Sequence, residues 1–182
     1  KLENNYESFH GLIPENASII DLGCGYGFLC YMLQFLSAER TITGVDYDEE
    51  KIAVAHNGYL RSPALKFFHS DVRSFTLERY DVIILSDVLH YLRSADQFDL
   101  LLKCFHALNP GGKIILRDGD VDLEQRHKAT RLSEFFSVRL LKFNKSQNDL
   151  KYISGTALEK FAELHGYEMR RIDQGGRTSN VI

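Results

Sequence analysis

Short apolar runs alternate along this chain with segments in which apolar residues recur at helical spacing. Seven runs have the length and composition of β-strands: 17–22, 41–46, 65–69, 80–86, 113–117, 167–172 and 178–182. The fourth, YDVIILS, is the kind of nearly continuous apolar run that is buried on both faces of a parallel sheet. Strands that alternate with helices over short connections indicate an α/β domain, whose mostly parallel sheet is covered by helices on both faces.

Polar patterns mark where the predicted helices begin. Asp48 is a good N-cap, and Glu49 and Glu50 suit the positive end of the helix that follows it. Two further helices are predicted to begin at capping boxes, which pair Ser94 with Gln97 and Thr156 with Glu159. The run 28–36 (FLCYMLQFL) is apolar almost all round, and this predicts a buried helix.

Composition narrows the class of protein without naming it. The chain has 182 residues, of which 44% are hydrophobic, and a formal net charge of −3, which fits one globular domain. No apolar stretch approaches the roughly 20 residues of a membrane helix, and the acidic balance gives no general attraction for nucleic acid. The 3 cysteines form no CxxC pair. We therefore expect no disulfide framework and no metal site, in a reducing, cytoplasmic setting.

The first predicted strand ends in a glycine-rich turn, Asp21-Leu22-Gly23-Cys24-Gly25-Tyr26-Gly27. Glycine at every second position lets the backbone turn tightly and come close to a ligand, and the following helix offers free N–H groups. A dinucleotide-binding turn would follow G-x-G-x-x-G, a register that needs a glycine where Phe28 stands. The alternative is a glycine-rich turn that holds no ligand.

Acidic residues follow the next predicted strands. Asp46 ends the second strand, at about the spacing expected of a carboxylate that binds the two hydroxyls of a ribose. Asp71 follows the third strand, and Ser86-Asp87 end the fourth. Each acid also has an ordinary interpretation, since Asp46 could simply begin a turn and Asp71 could be a surface loop acid.

In this order and spacing, the motifs resemble those of the class I S-adenosylmethionine-dependent methyltransferases over about residues 17–116. The glycine turn resembles motif I, the stretch 81–91 resembles the motif IV region, and 108–113 (LNPGGK) precedes the fifth strand as it does in that family. The resemblance implies a doubly wound, Rossmann-like sheet of seven mostly parallel strands, the last one antiparallel. It also implies S-adenosyl-L-methionine as cofactor and S-adenosyl-L-homocysteine as product.

The resemblance further implies which residues hold the cofactor. Asp21 would fix the glycine turn or reach the cofactor's amino group through water, while Asp46 would bind the ribose. The full set of implied cofactor-binding residues is Asp21, Gly23, Cys24, Gly25, Gly27, Asp46, Tyr47, Asp71, Val72, Ser86 and Asp87. In this set Tyr47 packs beside the adenine, Asp71 and Val72 hold its edge, and Ser86 and Asp87 face the methyl end.

Methyl transfer rests largely on holding the acceptor in line with the methyl group, so no catalytic side chain is obligatory. A base is needed only where the acceptor must lose a proton. His90, just beyond Asp87, is the candidate for that base. The alternative is that a histidine in the apolar run DVLHYL serves packing or hydrogen bonding.

The acceptor is constrained mainly by exclusion. Residues 86–89 read SDVL, where enzymes that methylate amide or adenine amines usually carry N/D-P-P-Y/F, so that subclass is not expected. This version of the fold resembles the broad group that methylates small molecules and lipid-like metabolites, which implies a small-molecule or lipid-like acceptor. The insertion 118–148 is the expected acceptor-side lid, with candidate substrate residues Asp118, Arg126, His127 and Phe136. The alternatives for this segment are a capped loop, a solvated charged face, core packing, or a helix that docks on a membrane surface or partner.

The sequence therefore predicts a one-domain methyltransferase (EC 2.1.1.-) spanning 1–182, with a cofactor core at 17–116. Two competing hypotheses are an inactive S-adenosylmethionine-binding module that acts as a partner subunit, and a nicotinamide-dependent oxidoreductase. The chain begins with lysine and few residues precede the first strand, so we expect a trimmed piece of a longer protein. Tyr6 and Phe9 would then be remains of a segment that covers the cofactor. No oligomeric state is predicted.

Overall fold

Strand β1 (Ser18–Leu22) pairs on both sides, with β2 (Thr41–Asp46) and with β4 (Tyr80–Ser86), and all three run parallel. β3 (Leu65–His69) pairs parallel with the far edge of β2, and β5 (Leu108–Gly119) follows β4, which gives the order β3-β2-β1-β4-β5. The computed structural model describes residues 6–58, 60–120, 122, 151–172 and 180–181. The parallel sheet of five strands and its Rossmann-like order confirm the predicted α/β class.

Helices connect these strands. The described helices are α1 (Tyr6–Leu12), α2 (Phe28–Leu36), α3 (Glu49–His56), the 3₁₀ turn Leu89–Tyr91, α4 (Ser94–His106) and α5 (Gly155–Leu164). The bounds of α2 match the predicted run, but the expectation that it is buried all round is wrong. Only one face is buried, with Leu29 and Leu33, while Phe28 and Phe35 are 70% and 79% exposed.

The helix caps agree with the sequence at one position and differ at two. Asp48 is the N-cap of α3, as predicted, and its carboxylate accepts from the N–H groups of Glu50 and Lys51. Neither capping box forms. Gln97 donates to backbone carbonyls instead of reaching back to Ser94.

Helix α5 is capped two residues earlier than predicted. Ser154, not Thr156, is the N-cap, and its hydroxyl accepts from the N–H of Ala157 at 3.1 Å. Asp122 explains the difference, because its Oδ2 accepts from the Ser154 hydroxyl at 3.0 Å and from the Thr156 N–H at 2.9 Å. Oδ1 of Asp120 accepts from the N–H of Gly155, the first residue of the helix, at 2.9 Å.

Strand β5 begins at Leu108, earlier than the predicted start at residue 113, so the Asn-Pro-Gly-Gly stretch that ends α4 belongs to the strand. Asp81 on β4 holds this stretch, since its carboxylate accepts from the Asn109 amide at 2.8 Å. A Cβ on Gly112 would lie 3.0 Å from the Asp81 carbonyl oxygen, so only glycine allows this close approach. The N–H of Tyr80, the first residue of β4, donates to the Ala107 carbonyl at 2.9 Å, directly before the strand begins.

The end of the predicted sheet differs more. Residues 167–172, predicted as a strand, form neither strand nor helix. Strand β6 (Asn180–Val181) is two residues long and pairs antiparallel with Asp118 and Gly119 of β5. The seven-stranded sheet with a full antiparallel last strand stays a prediction.

Two compact units make up the chain. The first comprises residues 1–86 and 98–115, and its core lies along β1, β2 and β4, where Ile19, Ile20, Val45 and Ile83 are fully buried. The second comprises residues 87–97 and 116–182 and contains the 3₁₀ turn, α5 and β6. Among the residues that the structure describes, no helix is both long and apolar enough to cross a membrane.

A buried arginine fastens the start of the first unit. Arg40 is 0% exposed, and its guanidinium donates to the carbonyls of Ile13 at 2.7 Å, Pro14 at 3.0 Å and Leu33 at 3.1 Å. Five fixed donors in one plane allow this multiple capping, which a lysine could not reproduce. Arg40 thereby joins the segment before β1 to the end of α2.

Candidate active site

The glycine turn between β1 and α2 has the backbone that its sequence predicts. Gly23, Gly25 and Gly27 have φ angles of 87°, 55° and 76°, in the left-handed region that favours glycine. Two N–H groups of the turn, those of Gly23 and Cys24, donate to the Val45 carbonyl at 2.7 and 3.0 Å. A Cβ on Gly27 would lie 2.7 Å from the Phe67 ring, whereas one on Gly25 would meet nothing within 4 Å. The turn is thus packed behind Gly27 and open at Gly25.

Asp46 lies at the end of β2, beside this turn. It is 5% exposed, its Oδ2 accepts from the Gly25 N–H at 2.8 Å and its Oδ1 from the Asp48 N–H at 2.9 Å. Both oxygens therefore hold backbone, and the carboxylate fixes the open part of the glycine turn. The predicted contact of Asp46 with a ribose stays a prediction.

Asp21 is the more deeply buried acid of the turn, at 2% exposure. Its pKa is raised to about 7. Burial is the largest cause and raises it, the hydrogen bond from the Cys30 thiol lowers it, and the nearby Asp46 charge raises it. The Cys30 thiol donates to Oδ2 of Asp21 at 3.4 Å. Hydrogen bonding with Cys24, together with burial, raises the pKa of the Cys30 thiol well above its usual range, so that this thiol stays a proton donor.

Aromatic side chains stand exposed around the turn. Tyr47, next to Asp46, is 47% exposed, and Tyr26 and Phe28 are 38% and 70% exposed with ring centroids 6.2 Å apart. The Lys51 ammonium lies 5.9 Å from the centre of the Tyr26 ring. An open glycine turn with exposed rings around it suits a ligand that carries a flat aromatic group.

The residues after β3 hold an ion pair that the sequence did not predict. Asp71 accepts from the Nε of Arg73 at 3.0 Å and from its backbone N–H at 2.9 Å. The hydrogen bond from the Arg73 side chain lowers the pKa of Asp71. Val72 between them is buried. The predicted contact of Asp71 and Val72 with an adenine edge stays a prediction, and in it Arg73 would share the carboxylate.

In the second unit, Asp87 follows β4 with a φ of 56°. Among the residues that the structure describes, it is the one non-glycine residue in the left-handed region. Its N–H donates to the Arg117 carbonyl at 2.7 Å, and its carboxylate pairs with the Arg117 guanidinium. Strained backbone of this kind clusters at ligand sites. Ser86, the last residue of β4, is half-buried in the first unit.

His90 and Asp118, both predicted as site residues, form a buried pair. Each side chain is 2% exposed, and the His90 Nδ1 lies 2.6 Å from Oδ1 of Asp118. The same carboxylate accepts from the N–H of Gly119 at 2.8 Å and from the N–H of His90 at 3.3 Å. Two backbone N–H groups already donate to Asp118, so we assign this carboxylate as the acceptor and the imidazole proton of the pair to Nδ1.

The remaining predicted substrate residues belong to the insertion 118–148. Arg126, His127 and Phe136 lie outside the described residues, as does most of the insertion 118–148. Sequence reasoning missed Arg117, Gln97, Tyr152 and the thiol of Cys30. Of these, only Arg117 had a usable signal, since it stands at the predicted end of β5 directly before Asp118.

The strand order and the glycine turn define the Rossmann-like fold of the class I S-adenosylmethionine-dependent methyltransferases. Residues 19–112, just over half of the chain, match the family model described as a methyltransferase domain. The chain belongs to this family, which confirms the resemblance seen in the sequence. The predicted cofactor, S-adenosyl-L-methionine, is the one that defines this class.

Curated relatives named carboxy-S-adenosyl-L-methionine synthase match part of the chain. The protein of Actinobacillus pleuropneumoniae serotype 3 is 28% identical over 111 residues, which cover 58% of this chain and 46% of that protein. The protein of Campylobacter concisus is 27% identical over 114 residues, covering 59% and 49%. The chain thus spans about half the length of these relatives.

Solved structures match more of the chain. Human N-acetylserotonin methyltransferase, solved in complex with SAM, has a TM-score of 0.72 at 21% identity and covers 98% of this chain and 50% of its own. An O-methyltransferase assigned in Nostoc punctiforme has a TM-score of 0.73 at 19% identity, with 98% and 55% covered. At these identities the likeness shows the fold.

Proposed function

We propose that the protein transfers a methyl group from S-adenosyl-L-methionine to a hydroxyl or amine of a small-molecule acceptor, with His90 as general base. The observation that carries this proposal is the buried His90–Asp118 pair. An imidazole that donates from Nδ1 to a carboxylate has its lone pair on Nε2, an atom that is buried in the structure, and this is the arrangement of a base oriented by a second residue.

The glycine turn and its acids are proposed to hold the cofactor. Gly23, Gly25 and Gly27 shape the turn for its methionine part, Asp46 binds the ribose, and Asp21 fixes the turn or reaches the amino group through water. The bound cofactor would supply an electrophilic methyl group, so the chain need only bind, align and shield it. Cys24 and Tyr47 complete this proposal as contacts of the bound molecule.

The proton step uses only residues of the second unit. In this proposal, Nε2 of His90 would accept the proton that the acceptor O–H or N–H loses when the acceptor takes the methyl group. The imidazolium that forms keeps its proton on Nδ1, which donates to Asp118. The negative charge of Asp118 stabilises the imidazolium. Such a base contributes about 10²–10⁴-fold in rate.

The first test is turnover with a panel of small phenols, alcohols and amines. His90→Asn should lower kcat by about 10²-fold or more while the affinity for S-adenosylhomocysteine, measured by calorimetry, stays unchanged. His106→Asn, which alters an exposed histidine of α4, is the matched control. A His90→Asn variant that turns over at the wild-type rate would remove His90 from the mechanism.

Binding tests separate the wider hypotheses. S-adenosylhomocysteine should bind and NAD should not, and the opposite result would favour the oxidoreductase. The inactive module is not favoured, because the curated relatives and solved neighbours described above are named as enzymes.

A second candidate comes from the relatives' name. Carboxy-S-adenosyl-L-methionine synthases alter the cofactor itself according to their name, so this chain could act in the same way. Mass spectrometry of the cofactor after incubation with candidate carboxylate donors distinguishes the two. A carboxylated cofactor supports the second candidate, and a methylated acceptor supports the first.

A further inference from the structure

Two tyrosine rings lie against the imidazole of His90. The ring centroid of Tyr91 is 4.1 Å from that of His90, with the planes 48° apart, and that of Tyr152 is 5.3 Å away at 42°. Tyr91 is the chain neighbour of His90, so its proximity follows from the local backbone. Tyr152 comes from a distant part of the sequence, and its ring is placed there by tertiary contacts.

Backbone contacts hold residues 151–153 against the 3₁₀ turn that carries His90. The Lys151 N–H donates to the His90 carbonyl at 2.9 Å. The buried amide of Gln97 donates to the Lys151 carbonyl at 2.6 Å and to that of Leu89 at 2.9 Å. Ile153 forms a β-bridge with Asp120. Tyr152 is therefore flanked on both sides by residues whose backbone is fixed.

Gly119 leaves the space that the Tyr152 ring occupies. A Cβ on Gly119 would lie 2.4 and 2.6 Å from two atoms of this ring, closer than any real contact. Its φ is not in the left-handed region, so the glycine is needed here for space and not for backbone conformation. The N–H of Gly119 also donates to Asp118, so one residue serves both the ring and the carboxylate.

We propose that Tyr152 is a positioning residue for His90 and that Gly119 is required to admit its ring. The inference rests on the proposed function, in which His90 is the base. The Tyr152 ring covers the imidazole, blocks its rotation about the Cβ–Cγ bond, and keeps water from the hydrogen bond between Nδ1 and Asp118. It thereby holds the tautomer in which Nε2 can accept a proton.

The test is ¹⁵N NMR of the histidine side chains in the full chain, with the His90 signals assigned by comparison with His90→Asn. In the wild type and in Tyr152→Phe, His90 should show one tautomer with the proton on Nδ1. In Tyr152→Ala and in Gly119→Ala, we expect the averaged signals of two tautomers and a shifted titration midpoint. Tyr167→Ala and Gly11→Ala are matched controls, since Tyr167 is half-buried like Tyr152 and a Cβ on Gly11 would meet nothing within 4 Å.

Kinetics give the second arm. Tyr152→Ala should lower kcat and shift its pH profile without changing the KM for the cofactor, and Tyr152→Phe should restore both. Wild-type His90 signals in Tyr152→Ala would overturn the role of Tyr152, and wild-type signals in a folded Gly119→Ala would overturn that of Gly119. Full turnover in His90→Asn would instead overturn the base, and the NMR result would still decide whether Tyr152 positions His90.

Discussion

The backbone N–H of Gly25 donates to Oδ2 of Asp46 at 2.8 Å, which ties the open part of the glycine turn to the end of β2. The other oxygen of Asp46 holds the N–H of Asp48, the residue that caps α3. One carboxylate therefore fixes both the turn after β1 and the helix start after β2, before any ligand is considered.

Replacing Asp46 should affect binding and folding together. Asp46→Ala leaves the N–H groups of Gly25 and Asp48 without their acceptor, at a cost of about 1–3 kcal/mol in the free energy of unfolding. We also expect at least tenfold weaker binding of S-adenosylhomocysteine. Urea denaturation and calorimetry measure the two effects. Asp99→Ala, at an exposed acid of α4, is the control, and wild-type affinity in Asp46→Ala would contradict the prediction.

Asp21 should make the stability of the ligand-free protein fall as the pH rises. Its pKa is raised from 3.8 to about 7 in the folded chain. Between these two values the folded state holds a proton that the unfolded state has released, so the free energy of unfolding decreases with increasing pH.

The variant Asp21→Asn cannot ionise and should lose this dependence. Urea denaturation at pH 5, 6, 7 and 8 should give a flatter profile for Asp21→Asn, and the variant should exceed the wild type in stability at pH 8. Equal slopes for the two proteins across this window would show that Asp21 does not hold the proton.

The two glycines of the turn should respond differently to alanine. In Gly27→Ala the new Cβ meets the Phe67 ring at 2.7 Å in a strained backbone, so we expect a loss of about 2–4 kcal/mol in stability. Gly25→Ala has open space and suffers only the strain of about 1–2 kcal/mol, but it places a methyl group where the ligand should approach. Urea denaturation should show the larger loss of stability for Gly27→Ala. Calorimetry should show the larger loss of affinity for S-adenosylhomocysteine for Gly25→Ala, although its loss of stability is smaller. The reverse ranking would count against an open ligand face at Gly25.

Arg40 should be needed for folding rather than for binding. Arg40→Met fills the space but removes the guanidinium donors from the buried carbonyls of Ile13, Pro14 and Leu33, and about 3–5 kcal/mol of stability should be lost. Arg40→Lys should recover only part of this, because one ammonium cannot reach all three carbonyls. Arg61→Met, at an exposed arginine, controls for the loss of charge. If Arg40→Met and Arg61→Met lowered the urea midpoint by the same amount, the hydrogen bonds of Arg40 to these carbonyls would not stabilise the fold.

The sequence was most informative where a local pattern determines local structure. The apolar runs located the five parallel strands, and the glycine turn was predicted in place because its backbone requires positive φ at alternate residues. The cap of α5 could not be predicted, because Ser154 and Thr156 are both good caps and the choice depends on Asp122, far away in the chain.

Contacts between distant segments were the least predictable part of the site. His90 and Asp118 were each singled out from the sequence, but nothing in it indicates that their side chains meet. The relation between Gly119 and Tyr152 has no sequence signal at all, since an isolated glycine in a strand has many explanations. Such pairs follow from tertiary packing, which one-dimensional patterns do not encode.

The hydrogen bonds of Asp122 with Ser154 and Thr156 join two parts of the chain that are far apart in the sequence. They fasten Asp122 to the start of α5, at Ser154, which lies 32 residues further along the chain. The entropy of closing a loop grows only slowly with its length. Segments of different length and sequence could therefore be exchanged between these two anchors while the cap of α5 and the His90–Asp118 pair stay in place.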